Sequence, residues 1–265
     1  MRLLEGRVAL LSGVGGGLGR DTALLFAQHG AKLVLVARSD ALTSSIAQEV
    51  SALDSDCLVL VGDITSTGDC QRIAADAVAQ FGKIDILVNI AHASDYSARC
   101  SILDVDPDLE GWRQCFEVNV FATMKITKAV AHHMADIGSG RIIMINSMTA
   151  ERIQPGSFAY SGSKSALQRM TQVLAQDLSR FGIRVNGLHP GFMWGPSVEN
   201  SFLRHADENG TSVETEKARI EEQIPLGYMP PTNEYAGTLL YLASDLSLPM
   251  TGQSLHVNGG QWMPK

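Results

Sequence analysis

Short apolar runs alternate with helical patterns along most of the chain, and this alternation restricts the fold more than any other feature. Runs such as Val8–Leu11 and Ile142–Ile145 contain no polar residue, which is typical of parallel strands that are covered on both faces. Strands are predicted at Val8–Leu11, Lys32–Val36, Cys57–Val61, Ile86–Asn89, Arg141–Asn146, Arg184–Leu188 and Gln253–Val257. The first three strand–helix units take about 25–30 residues each, as right-handed crossovers require. The pattern predicts an α/β fold with a doubly wound, seven-stranded parallel sheet flanked by helices on both faces.

The predicted helices fill the gaps between strands, except in one segment. They are expected at Leu42–Leu53, Ser66–Phe81, Trp112–Ala135, Phe158–Phe181 and Asn233–Ala243, after a first helix that begins near Leu18. From Phe192 to Pro231 we find no strand–helix unit and only one charged helical stretch, Val213–Gln223. Because long irregular segments inside a domain usually serve a function, residues 192–231 are interpreted as a substrate lid. No linker is evident, so residues 1–265 are predicted to form one domain.

Charge and hydropathy exclude two classes of partner. The net charge of −7 leaves no basic excess to neutralise phosphates, so no nucleic-acid partner is expected. The apolar runs are far shorter than the ~20 residues that span a bilayer. Arg2, Glu5 and Arg7 break any signal-peptide pattern. No membrane partner is therefore expected.

The cysteines indicate a reducing compartment. Cys57, Cys70, Cys100 and Cys115 show no Cys-x-x-Cys spacing, so they are interpreted as free thiols and not as a disulfide framework or a zinc site. We expect a cytoplasmic protein without a metal site.

A glycine-rich turn follows the first predicted strand, in the segment Ser12–Gly19 with the sequence Ser-Gly-Val-Gly-Gly-Gly-Leu-Gly. Glycines there let the backbone approach a pyrophosphate, and the N-terminus of the next helix presents free N–H groups to it. The alternative is a flexible turn without a ligand. The position between a strand and an amphipathic helix favours a dinucleotide site.

The end of the second strand bears on which dinucleotide binds. NAD sites usually have an acidic residue about 20 residues after the glycines, but Ala37 stands there and Arg38 follows. A guanidinium can bind a 2′-phosphate with two parallel hydrogen bonds, which favours NADP as the cofactor. Alternatively, Arg38 stacks on adenine, or Asp40 reaches the ribose of NAD.

Four further polar residues are expected near the same edge of the predicted sheet or on the helices beside it. Tyr160 and Lys164 share one face if they lie on a helix. Ser147 directly follows a strand, at the sheet edge where ligands of such folds bind, and Asn119 lies inside the Trp112–Ala135 helix. A free tyrosine titrates near ~10, and an ammonium ~4 Å away would favour its phenolate by about 4 kcal/mol at an effective dielectric of ~20.

The order and spacing of these motifs resemble the short-chain dehydrogenase/reductase family, in its single-domain form of roughly 250 residues with a Rossmann-like fold. The resemblance rests on Ser12-Gly13-x3-Gly17-Leu18-Gly19, Asp63, Asn89, Ala91, Asn119, Ser147, Tyr160, Lys164, Pro190-Gly191 and Thr251-Gly252-Gln253. It implies that Tyr160 is the general acid or base, that Ser147 polarises the substrate oxygen, and that Lys164 holds the nicotinamide ribose. It also implies a water-linked proton relay supported by Asn119.

The resemblance further implies a set of cofactor-binding residues and an assembly. The cofactor set is Ser12, Gly13, Gly17, Leu18, Gly19, Arg38, Asp63, Ile64, Asn89, Ala91, Tyr160, Lys164, Pro190 and Gly191. A homotetramer is implied, with the helices at 112–135 and 158–181 at one interface and the C-terminal strand at another.

Three positions depart from the family pattern. His92 replaces a glycine next to the expected nicotinamide pocket, where it either contacts substrate or is an ordinary loop side chain. Gly195 replaces a threonine that binds the carboxamide, so Ser197 or backbone groups are expected to substitute. Gly16 stands where many NADP-preferring members carry a basic residue.

The expected substrate pocket is rich in large apolar side chains. His92, Tyr96, Phe192 and Trp194 are the candidate substrate contacts, and they suit an apolar or cyclic ketone or secondary alcohol. The alternative for these residues is ordinary packing of the lid or of an oligomer interface. The leading hypothesis is an NADP-dependent oxidoreductase acting on such a carbonyl or alcohol. The alternatives are the same chemistry with NAD, and a dinucleotide-binding regulatory protein without turnover.

Overall fold

Seven parallel strands form one sheet in the computed structural model, which describes residues 2–94 and 101–264. The strands are β1 (Val8–Ser12), β2 (Lys32–Ala37), β3 (Cys57–Val61), β4 (Ile86–Asn89), β5 (Gly140–Ile145), β6 (Ile183–Pro190) and β7 (Ser254–Val257). Their order in the sheet is β3-β2-β1-β4-β5-β6-β7. Each predicted strand is confirmed, with bounds that differ by no more than two residues.

The helices cover both faces of the sheet. They are α1 (Leu18–Gln28), α2 (Ala41–Ser51), α3 (Thr67–Phe81), α4 (Glu110–Phe116), α5 (Thr123–Ile137), α6 (Phe158–Leu178), α7 (Pro196–Asn209), α8 (Val213–Glu221) and α9 (Thr232–Ala243). One core packs α1, α2 and α9 against the sheet, and a second core packs α3, α5 and α6 against its other face. Within β1, Ala9 and Leu11 enter the first core, and Val8 and Leu10 enter the second. The expected doubly wound α/β class is therefore confirmed.

The described helices contain no segment long and apolar enough to cross a bilayer.

Strand order reverses between β1 and β4, which brings two loops close together at the carboxyl edge of the sheet. The carbonyl oxygen of Ser12 accepts hydrogen bonds from the backbone N–H groups of Ile90 and Ala91, both at 2.9 Å. Gly13 has φ of +83°, and a Cβ atom built on it would lie 2.4 Å from the Cα of Ala91. This reversal creates the crevice in which such sheets bind ligands.

The helix predicted over Trp112–Ala135 is not one continuous α-helix. It consists of α4, a π-helical stretch over Glu117–Ala122, and α5. Asn119 lies in the π-helical stretch and not in regular α-helix. The choice between i+4 and i+5 backbone bonding leaves little trace in the hydrophobic pattern, so the sequence did not predict it.

The segment 192–231 holds more regular structure than predicted. The expected charged stretch is confirmed as α8, but the prediction missed α7, which begins with Pro196 at a favoured first-turn position. A small core of Phe202, Ile224 and Met229 supports both helices. Val198, Phe202 and Ala206 recur every four residues, a helical spacing that the abundance of glycine, proline and aromatics nearby concealed.

We expect Gly13→Ala to destabilise the fold strongly. The positive φ alone costs a residue with a side chain about 1–3 kcal/mol, and the new methyl group would collide with the backbone of Ala91. Gly15→Ala is the matched control, because its Cβ meets no atom within 4 Å. In urea unfolding, Gly13→Ala should lower the free energy of unfolding by about 2 kcal/mol or more, and Gly15→Ala by less than about 0.5 kcal/mol. Equal losses would contradict this account of the crevice.

Candidate active site

A cleft opens at the carboxyl edge of the sheet, beside the point where the strand order reverses. Its walls come from the glycine turn, the loop after β4, the end of β5, the start of α6, and the segment after β6. The residues that line the cleft include Gly13, Gly15, Gly16, Gly17, Leu18, Gly19, His92, Ser94, Ser147, Met148, Gln154, Tyr160, Lys164, Pro190, Gly191, Phe192, Met193, Gly195, Ser197, Val198 and Thr232. The prediction had omitted Ser94, Met148, Gln154 and Thr232. Of these four residues, only Met148 could have been predicted from the sequence, because it lies just after the end of a predicted strand.

Ser147 is held rigidly at the end of β5. It caps a short 3₁₀ turn over Met148–Ala150, and its Oγ accepts hydrogen bonds from the backbone N–H of Thr149 at 3.2 Å and from the Thr149 hydroxyl at 2.9 Å. A hydroxyl oxygen that accepts two bonds still has its own hydrogen to donate. Ser147 can therefore donate a hydrogen bond into the cleft.

Tyr160 and Lys164 lie one turn apart near the start of α6, and both line the cleft. The Lys164 Nζ lies 5.7 Å from the centre of the Tyr160 ring and donates a 2.7 Å hydrogen bond to the carbonyl oxygen of Ile145. This bond fixes the lysine to the last residue of β5, two residues before Ser147. The structure thus brings Ser147, Tyr160 and Lys164 together.

Lys164 is a buried ammonium group, with 2% of its surface exposed. Burial lowers its pKa to about 8. Loss of hydration beside the cleft walls, together with the charge of Lys164, lowers the pKa of His92 below its usual value, although the residue keeps contact with solvent. At neutral pH, Lys164 therefore carries the positive charge of this part of the cleft, and His92 is neutral.

Asn119 uses its whole side chain to join the loop after β4 to α6. Its Oδ1 accepts from the backbone N–H of Ala93 at 2.8 Å, and its Nδ2 donates to the Ala93 carbonyl oxygen and to the Ser163 Oγ, both at 2.9 Å. The π-helical stretch presents Asn119 to these partners. In this structure Asn119 is a positioning residue that holds the cleft wall, and it does not line the cleft itself.

The predicted cofactor residues fall into three groups. Gly13, Gly17, Leu18, Gly19, Pro190 and Gly191 line the cleft together with Tyr160 and Lys164. Ser12, Asn89 and Ala91 lie beneath it, where the Ser12 hydroxyl donates to the Asn89 Oδ1 at 3.2 Å and Ala91 packs against Gly13.

Arg38, Asp63 and Ile64 form the third group and lie farther along the same edge. Arg38 is exposed directly after β2, Ile64 is buried, and the Asp63 carboxylate accepts from the backbone N–H of Thr65 at 2.9 Å. Since Ala37 and Val61 are paired in register, this group lies on adjacent strand ends.

The four candidate substrate contacts are placed differently. His92 and Phe192 line the cleft. Trp194 packs against α7 and α8, where its ring centre lies 5.9 Å from that of Phe202 and 4.4 Å from the Lys217 Nζ. Tyr96 lies outside the described residues.

The amide groups that open α1 are suited to bind a pyrophosphate. The N-cap residue Gly17 offers no side chain to the first turn, so no side-chain oxygen competes with a ligand for the first N–H groups of the helix, and the Arg20 N–H donates to the Gly15 carbonyl oxygen at 3.0 Å. Gly15 and Gly16 leave the approach open, because Cβ atoms built there meet nothing closer than 3.7 Å. These residues fit a nicotinamide dinucleotide.

The low pKa of Lys164 predicts a specific pH dependence of stability. The folded value of about 8 lies below the ~10.4 of an unfolded lysine, so the unfolded chain binds more protons between these values and stability contributed by this group rises with pH. The free energy of unfolding of the wild type, relative to Lys164→Met, should therefore rise by about 3 kcal/mol from pH 8 to pH 10.5. Urea unfolding of the cofactor-free protein measures it, and Lys128→Met, which removes an exposed lysine of α5, is the control. A flat difference would contradict the burial of this charge.

Comparisons with known proteins agree with this geometry. A family model described as enoyl-(acyl carrier protein) reductase matches residues 13–261. The oxidoreductase UcpA of Salmonella typhimurium is 32% identical over 100% of this chain and 98% of its own. A short-chain type dehydrogenase/reductase from Mycobacterium marinum is 30% identical, with a TM-score of 0.83 over 98% of this chain and 97% of its own. An NAD⁺-bound xylitol dehydrogenase is 28% identical, with a TM-score of 0.89 over 97% of this chain and 99% of its own. The chain belongs to the short-chain dehydrogenase/reductase family, whose members use nicotinamide cofactors, and it is an oxidoreductase acting on CH–OH or C=O groups.

Proposed function

We propose that this protein transfers a hydride between NADP and a ketone or secondary alcohol, with Tyr160 as its general acid or base. The observation that carries the proposal is the meeting of Ser147, Tyr160 and Lys164 in one cleft with the uncapped glycine turn. The bound nicotinamide supplies the hydride chemistry.

Tyr160, Ser147 and Lys164 have different roles at the reacting oxygen of the substrate. In reduction the Tyr160 hydroxyl gives its proton to the carbonyl oxygen, and in oxidation its phenolate takes the proton of the alcohol. The Ser147 hydroxyl donates a hydrogen bond to the same oxygen and stabilises the negative charge that develops there. The Lys164 Nζ lies 5.7 Å from the centre of the Tyr160 ring. For a charge separation of this order and an effective dielectric of ~20, the ammonium favours the phenolate by about 3 kcal/mol.

Lys164 also has hydrogen-bonding capacity for the cofactor. Its Nζ donates to the Ile145 carbonyl oxygen, which leaves two of its three N–H groups for other acceptors. We assign these to the nicotinamide ribose hydroxyls. Asn119 supports the site indirectly, because it holds Ala93 and thereby the wall that contains His92.

The walls of the cleft support an apolar or cyclic substrate. Met148, Phe192, Met193 and Val198 line the cleft with apolar atoms. Ser94 and Gln154 add polar groups that can orient a second substituent. A neutral His92 beside them can donate or accept one hydrogen bond.

NADP is favoured over NAD by the end of β2. Arg38 is exposed next to the cleft edge, and Ala37 provides no carboxylate that would repel a 2′-phosphate. The NAD⁺-bound xylitol dehydrogenase shows that a relative of this fold binds the other dinucleotide, so the preference of this chain depends on its own residues at this edge.

A homotetramer in a reducing, cytoplasmic environment completes the proposal. Phe121, Phe158 and Val173 expose 53%, 41% and 59% of their surfaces on the helical face that would form one interface. Cys57, Cys70 and Cys115 form no disulfide with one another, and Cys100 lies outside the described residues. Sedimentation velocity at micromolar concentration tests the assembly, and a monomer would contradict it.

Tyr160→Phe should remove most of the activity and leave cofactor binding intact. General acid–base catalysis typically contributes about 10²–10⁴-fold, so kcat/KM should fall by at least about 100-fold on any accepted substrate. The assay follows NADPH absorbance with a panel of cyclic ketones, linear secondary alcohols and polyols. Binding of NADPH, measured by fluorescence, should change by less than about threefold.

Tyr228→Phe is the matched control, since Tyr228 is an exposed tyrosine that bonds to Glu234. It should retain wild-type turnover. A Tyr160→Phe enzyme as fast as the wild type would overturn the assignment. Tight cofactor binding without turnover on the whole panel would favour the regulatory alternative.

Arg38→Ala should discriminate between the two cofactors. Loss of a bidentate guanidinium–phosphate contact should raise the KM for NADPH by about tenfold or more and change the KM for NADH by less than about threefold. Arg180→Ala, which removes an exposed arginine at the end of α6, should affect neither. Equal effects of Arg38→Ala on both cofactors would mean that Arg38 does not bind a 2′-phosphate.

A further inference from the structure

Two histidines and a glutamate lie together behind the cleft, apart from the catalytic side chains. His189 of β6 and His256 of β7 are register partners on adjacent parallel strands, with ring centres 4.9 Å apart. Glu151 follows the 3₁₀ turn that begins after Ser147. Its carboxylate lies 3.4 Å from the His256 Nε2 and 3.9 Å from the His189 Nδ1. One ligand atom from each residue falls within 4.8 Å of the others.

The ring nitrogens of these histidines lack the partners that buried polar atoms normally have. His189 is fully buried, and neither of its ring nitrogens makes a hydrogen bond to the described part of the chain. The buried Nδ1 of His256 also has no partner there. An unsatisfied buried polar group costs about 1–3 kcal/mol, so native proteins rarely keep several in one place. The His189 Nδ1 faces the Glu151 carboxylate, so this unpartnered nitrogen points to a species bound between the two side chains. The His189 Nε2 and the His256 Nδ1 lie outside that contact.

The donor set and spacing fit a transition-metal ion. Zn²⁺ binds imidazole nitrogen and carboxylate oxygen at about 2.0–2.2 Å, which puts tetrahedral ligand atoms about 3.3 Å apart. The separations of 3.4 and 3.9 Å need only small side-chain adjustments to reach this value. Two imidazoles disfavour Mg²⁺ and Ca²⁺, which take oxygen ligands.

We propose that Glu151, His189 and His256 bind one divalent transition-metal ion, Zn²⁺ in the first instance, with water at the remaining position. The side chains of His256 and Glu151 are 22% and 27% exposed, which gives the ion a route from solvent to the buried His189. This proposal differs from the sequence-based expectation of no metal site, which rested on the cysteines alone.

A neighbouring residue completes the site. The Gln168 Nε2 of α6 donates a short hydrogen bond to the Glu151 Oε1 and so orients the carboxylate, as residues around metal ligands typically do. The ion ties the segment after Ser147 to the carboxyl ends of β6 and β7. It braces the cleft from behind and takes no part in hydride transfer.

Metal titration of tag-free protein dialysed against a chelator tests the proposal without any activity assay. We expect calorimetry with Zn²⁺ to show one ion per chain with a Kd of about 1 μM or tighter, and Co²⁺ to give visible absorption bands of an ordered site. Glu151→Gln and His256→Gln should weaken binding by more than about 100-fold. Gln168→Leu should weaken it by about 10–100-fold, as expected for a residue outside the ligand set. His132→Gln removes an exposed histidine of α5 and should change nothing.

Two results would overturn the proposal. One is the absence of saturable binding at one ion per chain. The other is unchanged affinity in folded Glu151→Gln and His256→Gln proteins, with folding checked by circular dichroism and thermal unfolding. If His256→Gln fails to fold, the partly exposed Glu151 and Gln168 variants decide the matter. A crystal soaked in Zn²⁺ that shows only water among the three side chains, with no anomalous signal, also overturns it.

Discussion

The close approach of β1 and β4 is the constraint on which the rest of the site depends. The Ser12 carbonyl accepts from two consecutive backbone N–H groups, and Gly13 touches Ala91 where any side chain would collide. This contact keeps the glycine turn on one side of the crevice and the Ala91–Ser94 loop on the other. The positions of the residues that we assign to the cofactor or substrate depend on this contact between β1 and the loop after β4. The Ser12–Asn89 hydrogen bond beneath it ties the two strand ends together, so the crevice floor does not depend on a bound ligand.

Burial of the Lys164 ammonium costs folding free energy, and the same ammonium is the group that we propose favours the Tyr160 phenolate. Desolvation lowers the pKa of Lys164 to about 8, which means that folding disfavours its charged form. Strained or costly charges of this kind are characteristic of functional sites. The structure offsets part of the cost with the hydrogen bond to the Ile145 carbonyl oxygen. The same bond links α6 to the end of β5, so that the charge, the phenol and the Ser147 hydroxyl keep a fixed relation.

The sequence predicted the strands well because burial on both faces leaves a strong signal. Runs such as Val8–Leu11 contain no polar residue that would obscure this signal. The hydrophobic pattern does not predict a helix that is only partly buried, and it does not predict a change in the hydrogen bonding of the helix backbone. α7 packs on a small cluster around Phe202 and not on the sheet, so its apolar stripe is narrow and was missed. The π-helical stretch around Asn119 depends on contacts with Ala93 and Ser163, which are remote in sequence.

The proposed metal site illustrates the same limit. His189, His256 and Glu151 are widely separated along the chain, and only the pairing of β6 with β7 brings the two histidines together. No spacing rule could have found them. By contrast, Tyr160 and Lys164 are one helical turn apart, and local periodicity was enough to place them on one face.

The departure at Gly195 has a structural explanation in a residue far along the chain. A Cβ atom at position 195 would lie 3.0 Å from the Thr232 Cγ2, so the methyl group of Thr232 fills the space that a side chain at 195 would need. The Thr232 hydroxyl donates to the Asp21 carboxylate at 2.6 Å and thereby joins the start of α9 to α1. Directly before Gly195, the backbone N–H of Trp194 donates to the Pro230 carbonyl oxygen at 2.9 Å, and the Trp194 carbonyl oxygen accepts from the backbone N–H of Thr232 at 3.2 Å. The start of the segment 192–231 is therefore anchored to α1, the helix whose N-terminus lines the cleft, and glycine at 195 is a consequence of this anchor. Gly195 has no side chain for the carboxamide contact that a threonine makes in the family pattern, so Ser197 or backbone groups of this segment remain the prediction for that contact.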